Sequence, residues 1–214
     1  MVQRADMSAL SGSLSYQRFF VEKDLARDFV TKSHAKIVAH AMRPLSPNEP
    51  EGERSGWCVL GEPLDVELDR SRVHLDGFVN LGLRTDRWAI PSALLKTRLR
   101  EAEAAERARK GRDRLGRNEK AEIKELVIRE LRKKIIPTTR AVDLSWSLEE
   151  RVVRFFSHSK KSTGVMIDLF EKTFGFELIA ESPYTQSRRL ELSDAQMRAW
   201  ETIEPISLAS GGGA

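Results

Sequence analysis

Cysteine is almost missing from these 214 residues, with Cys58 standing alone. That excludes an internal disulfide and a cysteine-rich zinc site. No apolar run approaches the roughly 18 residues a membrane-spanning helix needs. The opening Met1-Val2-Gln3-Arg4-Ala5-Asp6 leads into Ser/Gly sequence without an apolar signal core, so export is not indicated. Histidine is sparse too: His34, His40, His74 and His158 are scattered, with no metal-binding spacing. Neither G-x-G-x-x-G nor G-x-S-x-G occurs. Together these absences point to a reduced, cytoplasmic protein without metal or cofactor and without a foothold for catalysis.

What the chain does have is charge. At 32% charged and 40% hydrophobic it is globular in composition and long enough to bury a core. Its net charge of +4 is unevenly spread. Residues 96–134 hold fifteen Lys or Arg against eight Asp or Glu, so the rest of the chain is slightly acidic. A basic element on an acidic body suits a polyanionic partner.

Alternation predicts a strand within 11–21, and 3.6-residue spacing predicts a helix over 22–42, ended by Pro44. Residues 43–56 are rich in Pro and Gly and read as a surface loop. Short strands follow at 57–60, 64–68 and 72–83, the last two joined at Asp69-Arg70-Ser71. A long helical pattern then runs from Pro91 to about Lys134, breaking between Gly111 and Gly116. Its second half carries an apolar stripe, Ile123, Val127, Leu131 and Ile135, expected to lie against a sheet. A hairpin over 138–158, a helix over 160–174 capped by Gly175, a strand at 176–180 and a weak helix at 193–201 complete the chain.

The expected fold class is α+β: two antiparallel sheet-and-helix halves joined by a long, basic, bent helical segment. The divisions are 1–90, a basic arm at 91–137, a second half at 138–192, and a short helix with a flexible tail at 193–214.

Within the arm, Arg107, Lys110, Arg114 and Arg117 are spaced 3, 4 and 3, placing them on one face of a continuous helix. Arg100, Lys120 and Lys124 extend the candidate DNA-binding set. Such side chains neutralise phosphates and release counterions, which gives salt-sensitive binding without sequence preference. The alternative is a solvated helix laced with pairs such as Glu103–Arg107 and Glu106–Lys110. A second constellation, Asp65, Glu67 and Asp69 with Asp76, could hold Mg²⁺ for nuclease chemistry if strand alternation puts the carboxylates on one face. The plainer reading makes that face the wet side of a sheet, with Leu64, Val66 and Leu68 turned inward. Lys161-Ser162-Thr163-Gly164 lies at a helix start but lacks the glycine loop of a phosphate-binding motif.

Between about Leu10 and Leu178 the chain resembles the RdgC family of recombination-associated, DNA-binding proteins. The resemblance is carried by Ile90-Pro91-Ser92, Glu119-Lys120-Ala121-Glu122-Ile123-Lys124-Glu125, Ile135-Ile136-Pro137-Thr138-Thr139-Arg140, Trp146, Asp168-Leu169-Phe170 and the opening Gly12-Ser13-Leu14-Ser15-Tyr16. It implies a homodimeric ring around duplex DNA, association with the nucleoid, and modulation of a recombination protein. Family members continue well beyond Ala214, so the expectation here is an open clamp or a smaller dimer. Two alternatives stay open: a protein-interaction module built on the charged arm, and a metal-dependent nuclease.

Overall fold

Two ten-residue strands lie at the centre of the sheet. In the computed structural model, which describes residues 15–190 and 192–202, these are β4 (Phe78–Arg87) and β5 (Thr138–Ser147). They pair antiparallel from Phe78↔Ser147 to Arg87↔Thr138. β2 (Glu53–Cys58) flanks β4. On the other side come β6 (Val152–Phe155), β1 (Gln17–Phe20) and the short β7 (Ile179–Ala180). β3 (His74–Leu75) folds back on the start of β4, completing a seven-stranded antiparallel sheet. Strands from both expected halves thus share one sheet, because β1 pairs with β6 and β4 with β5. The fold is α+β, as the mixture of hairpins and helices predicts.

Period-2 alternation gives the sheet one apolar face, formed by Val79, Leu81, Leu83, Leu144, Trp146, Val153, Phe155 and Phe19. Two helices cover it, α1 (Phe29–Ala39) and α5 (Lys160–Phe174). Trp146 is fully buried, with Phe170, Phe29 and Phe174 rings about 5 Å away, mostly edge-on. Trp57 is also fully buried, and its indole Nε1 donates to Thr173 Oγ1 at 2.9 Å. Thr173 in turn donates to the Leu169 carbonyl, so no polar group of that pair is stranded. Gly56 lets the chain approach closely, since a Cβ there would lie 2.5 Å from the Met42 Cα.

The opposite face is polar. Arg84 makes a two-pronged ion pair with Asp86 (2.9 and 2.6 Å), and Asp86 also accepts from Thr139 Oγ1. The segment following β2 lies over this pair, with the Pro63 carbonyl accepting from Arg84.

Several boundaries depart from the sequence reading. Residues 64–68 are not a strand: Leu64 and Val66 are exposed and only Leu68 is buried. Pro63 and the Asx turn closed by Asp65 Oδ1 on the Glu67 N–H hold the chain in an irregular path. The expected strand at 72–83 begins instead with the single turn α2 (Arg70–Val73). The true hairpin turn is Asp76-Gly77, both at positive φ, at the dipeptide that most favours a two-residue turn. The first helix begins only at Phe29; β1 is Gln17–Phe20, and positions 11–14 of the strand expected over 11–21 lie outside the described residues. A further short helix, α6 (Pro183–Arg189), follows β7 and was not expected. α7 (Asp194–Glu201) starts at its Ser193 cap, while the expected flexible tail falls, from residue 203 onward, outside the described residues.

Residues 88–137 leave the sheet between two neighbouring strands and return to it. They form a helical hairpin: α3 (Ser92–Lys110), a turn at 111–116, and α4 (Arg117–Arg132) folded back on α3. Ile123 and Leu131 are buried while Val127 and Ile135 are half-buried. α4 packs against α3, and the sheet's hydrophobic cluster, which the stripe was expected to join, includes no residue of either arm helix. On α3 the half-buried positions are Leu95, Leu99, Ala102, Glu103 and Glu106, which is the spacing of a helix–helix seam. At the base, Arg132 donates through Nη1 to the Glu49 carbonyl, tying the arm to the loop before β2.

Candidate nucleic-acid interface

The tip of the arm is built by its two glycines. Gly111 sits at φ 59°, the left-handed region, and ends α3. Gly116 is extended and starts α4. Because the helix breaks between them, Arg107, Lys110, Arg114 and Arg117 do not share a face of one continuous helix. They converge for another reason, since the last turn of α3, the loop and the first turn of α4 meet at one end of the hairpin. Residues 106–120 carry seven Lys or Arg against three Asp or Glu, an excess equal to the net charge of the whole chain.

Within this cluster the cations differ. Lys110 is committed: its Nζ lies 2.6 Å from Glu119 Oε1 and 3.1 Å from Glu106 Oε1, bridging the two helices. Glu119 Oε2 accepts the Gly116 N–H at 2.7 Å, closing the first turn of α4. Lys110 and that backbone donor together hold the Glu119 carboxyl below the usual carboxylate range. Glu106 is gripped more tightly, by Arg109 through two hydrogen bonds and then by Lys110, and its pKa falls to about 2. Of the two pairs expected within α3, Glu106–Lys110 forms, while Glu103–Arg107 is not among the ion pairs of the described residues.

Arg107, Arg112, Arg114, Arg117 and Lys120 are exposed and have no ion-pair partner among the described residues. Arg117 and Lys120 lie in the first turn of α4, where the helix dipole favours anions over cations. Their placement there costs the helix a little and aims its positive end, with theirs, at solvent. Arg107, Gly111, Arg112 and Asp113 line a shallow hollow at this end. Arg100 and Lys124 lie farther down the shaft, exposed, one on each helix. Spacing along a continuous helix leaves out Arg112, which the break between Gly111 and Gly116 places in the turn.

No protein-family model matches this chain, and no curated protein matches it.

The carboxylate constellation does not assemble. The Glu67 N–H on Asp65 Oδ1, and then Arg72 Nη1 at 2.7 Å from Oδ2, hold the Asp65 carboxyl below the usual range. Among the described residues no group of three or more His, Cys, Asp or Glu is placed to hold a metal ion. Cys58 is buried, and burial pushes its thiol up to about 12, making it a small core residue. Lys161 pairs with Glu53, and Ser159 caps α5 by accepting the Ser162 N–H. None of the described helices is long and apolar enough to cross a membrane.

Proposed function

We propose that the protein binds duplex DNA through the phosphate backbone, with little sequence preference and no chemistry on the DNA, using the tip of the α3–α4 arm. One observation carries this reading: Arg107, Arg112, Arg114, Arg117 and Lys120, exposed and without an ion pair among the described residues, gather at the tip of a hairpin that the Lys110 bridge to Glu106 and Glu119 closes. A solvated helix stabilised by its own ion pairs has no need of unpaired Arg and Lys at a helix N-terminus. Arg107, Arg114, Arg117 and Lys120 make the main contacts; Arg100 and Lys124 add phosphate contacts along the shaft, and Lys110 positions the two helices. The RdgC resemblance supports the same assignment and adds a homodimer acting on recombination at the nucleoid.

The nuclease alternative loses the geometry it required, since Asp65 is taken up by Arg72 and sits in an irregular segment. The protein-partner alternative is favoured by Leu126 on α4 and Ile136 at the arm's base, 56% and 89% exposed. Fluorescence anisotropy with labelled duplexes of unrelated sequence separates the two. Phosphate binding gives similar affinities for all duplexes and a linear fall of log K with log salt. Absence of duplex binding at low salt transfers the arm to a protein partner.

A further inference from the structure

Behind β3, three ring nitrogens are buried without a hydrogen bond among the described residues: Nδ1 of His34 and both nitrogens of His74. His34 is on α1 and His74 opens β3, with ring centroids 5.7 Å apart and planes inclined at 59°. A neutral imidazole offers one N–H and one lone pair, and burial leaves both groups of His74 unsatisfied. His74 also lines an open hollow of about 720 Å³, so water reaches the edge of the pair.

We propose that His34 and His74 form a two-imidazole site for a divalent transition-metal ion of the Ni²⁺, Cu²⁺ and Zn²⁺ group, with water completing the coordination. Imidazole nitrogen is a preferred donor for these ions. A metal about 2.0–2.1 Å from each nitrogen is ~3.2 Å from each ring centroid, so two such rings stand about 5–6 Å apart at tetrahedral or slightly wider angles. The observed separation falls within that span. The surrounding charge is permissive: Arg70 opposes a cation, but Asp69 and Asp76 line the same hollow. Burial, then His34, then Arg70 lower the His74 pKa, which keeps its ring neutral and a lone pair available. The two remaining histidines are already engaged, His40 Nδ1 with the Lys36 carbonyl and His158 Nε2 with Ser15 Oγ. Sequence spacing conceals the site because its ligands come from two separate elements. The proposal is independent of DNA binding.

The test is calorimetric titration of the full chain, stripped with EDTA, with NiCl₂ and ZnCl₂ in a non-chelating buffer. One equivalent should bind, and His34→Ala and His74→Ala should each weaken binding by at least about tenfold. His40→Ala should leave it unchanged. Cu²⁺ electron paramagnetic resonance should show two coupled nitrogens in the wild type and one in His34→Ala. Should His74→Ala fail to fold by circular dichroism, His34→Ala, at a half-buried helix position, decides alone. No binding up to millimolar metal, or binding unchanged in His34→Ala, overturns the proposal.

Discussion

Glu106 and Glu119 sit in a dense field of cations, and each is held ionised by a named partner. For Glu106 the ordinary value near 4.5 drops to about 2, with Arg109 the largest cause and Lys110 the next. A carboxylate depressed in the folded state stabilises it at pH above the unfolded value, and that contribution is lost as pH falls through the folded one. The tip should therefore stay closed at neutral pH and loosen between about pH 4.5 and 2. Carboxyl ¹³C titration should place the Glu106 midpoint near 2 and move it upward in Arg109→Gln; a midpoint at the ordinary value in the wild type would refute the pairing. A second residue tests close approach instead of charge. Gly56→Ala puts a Cβ against the Met42 backbone, which should cost about 1–3 kcal/mol in urea denaturation.

At the scale of elements, the arm and the sheet layer should respond differently to cavities. Phe170 is fully buried in the aromatic cluster, so Phe170→Ala should lower global stability by about 3–5 kcal/mol. Ile123 is buried on α4, which packs against α3, and lies outside the sheet's hydrophobic cluster. Ile123→Ala should speed amide exchange across 92–132 while leaving the sheet's protection unchanged; loss of protection throughout the sheet would place the arm in the common core. Which elements were legible from sequence follows from the same distinction. The helix α5 was readable to the residue because Ser159 and Gly175 mark its ends and its apolar stripe is regular. The β5–β6 hairpin was readable from alternation. The segment 64–68 misled because Leu64, Val66 and Leu68 alternate by composition while Pro63 and Asp65 fix a turn, and local hydrogen bonding overrides the pattern. The arm's apolar stripe raises the expectation of a sheet beneath it because periodicity identifies a buried face but not the surface that buries it. At the candidate site the residue types were legible, whereas their convergence depended on the glycine turn, and the Lys110–Glu119 bridge joins residues no helical spacing would pair.

At the scale of the whole molecule, a mixed-charge sheet body carries a projecting arm whose tip holds an excess of positive charge as large as the entire chain's. The body supplies a rigid base, with Arg132 fixing the arm to the loop before β2. The arm supplies cations whose number of neutralised phosphates sets the salt response. The most direct measurement is the salt dependence of duplex DNA affinity for the wild type and for the combined Arg107→Glu, Arg114→Glu, Arg117→Glu variant, with circular dichroism confirming the fold of both. The three positions lie outside the sheet's core cluster and make no ion pair among the described residues, so the variant should fold. Its affinity should drop for every duplex tested, and the log–log salt slope should flatten by about 0.9 for each phosphate the variant no longer neutralises. An unchanged affinity and slope in the folded variant would contradict binding through the arm tip.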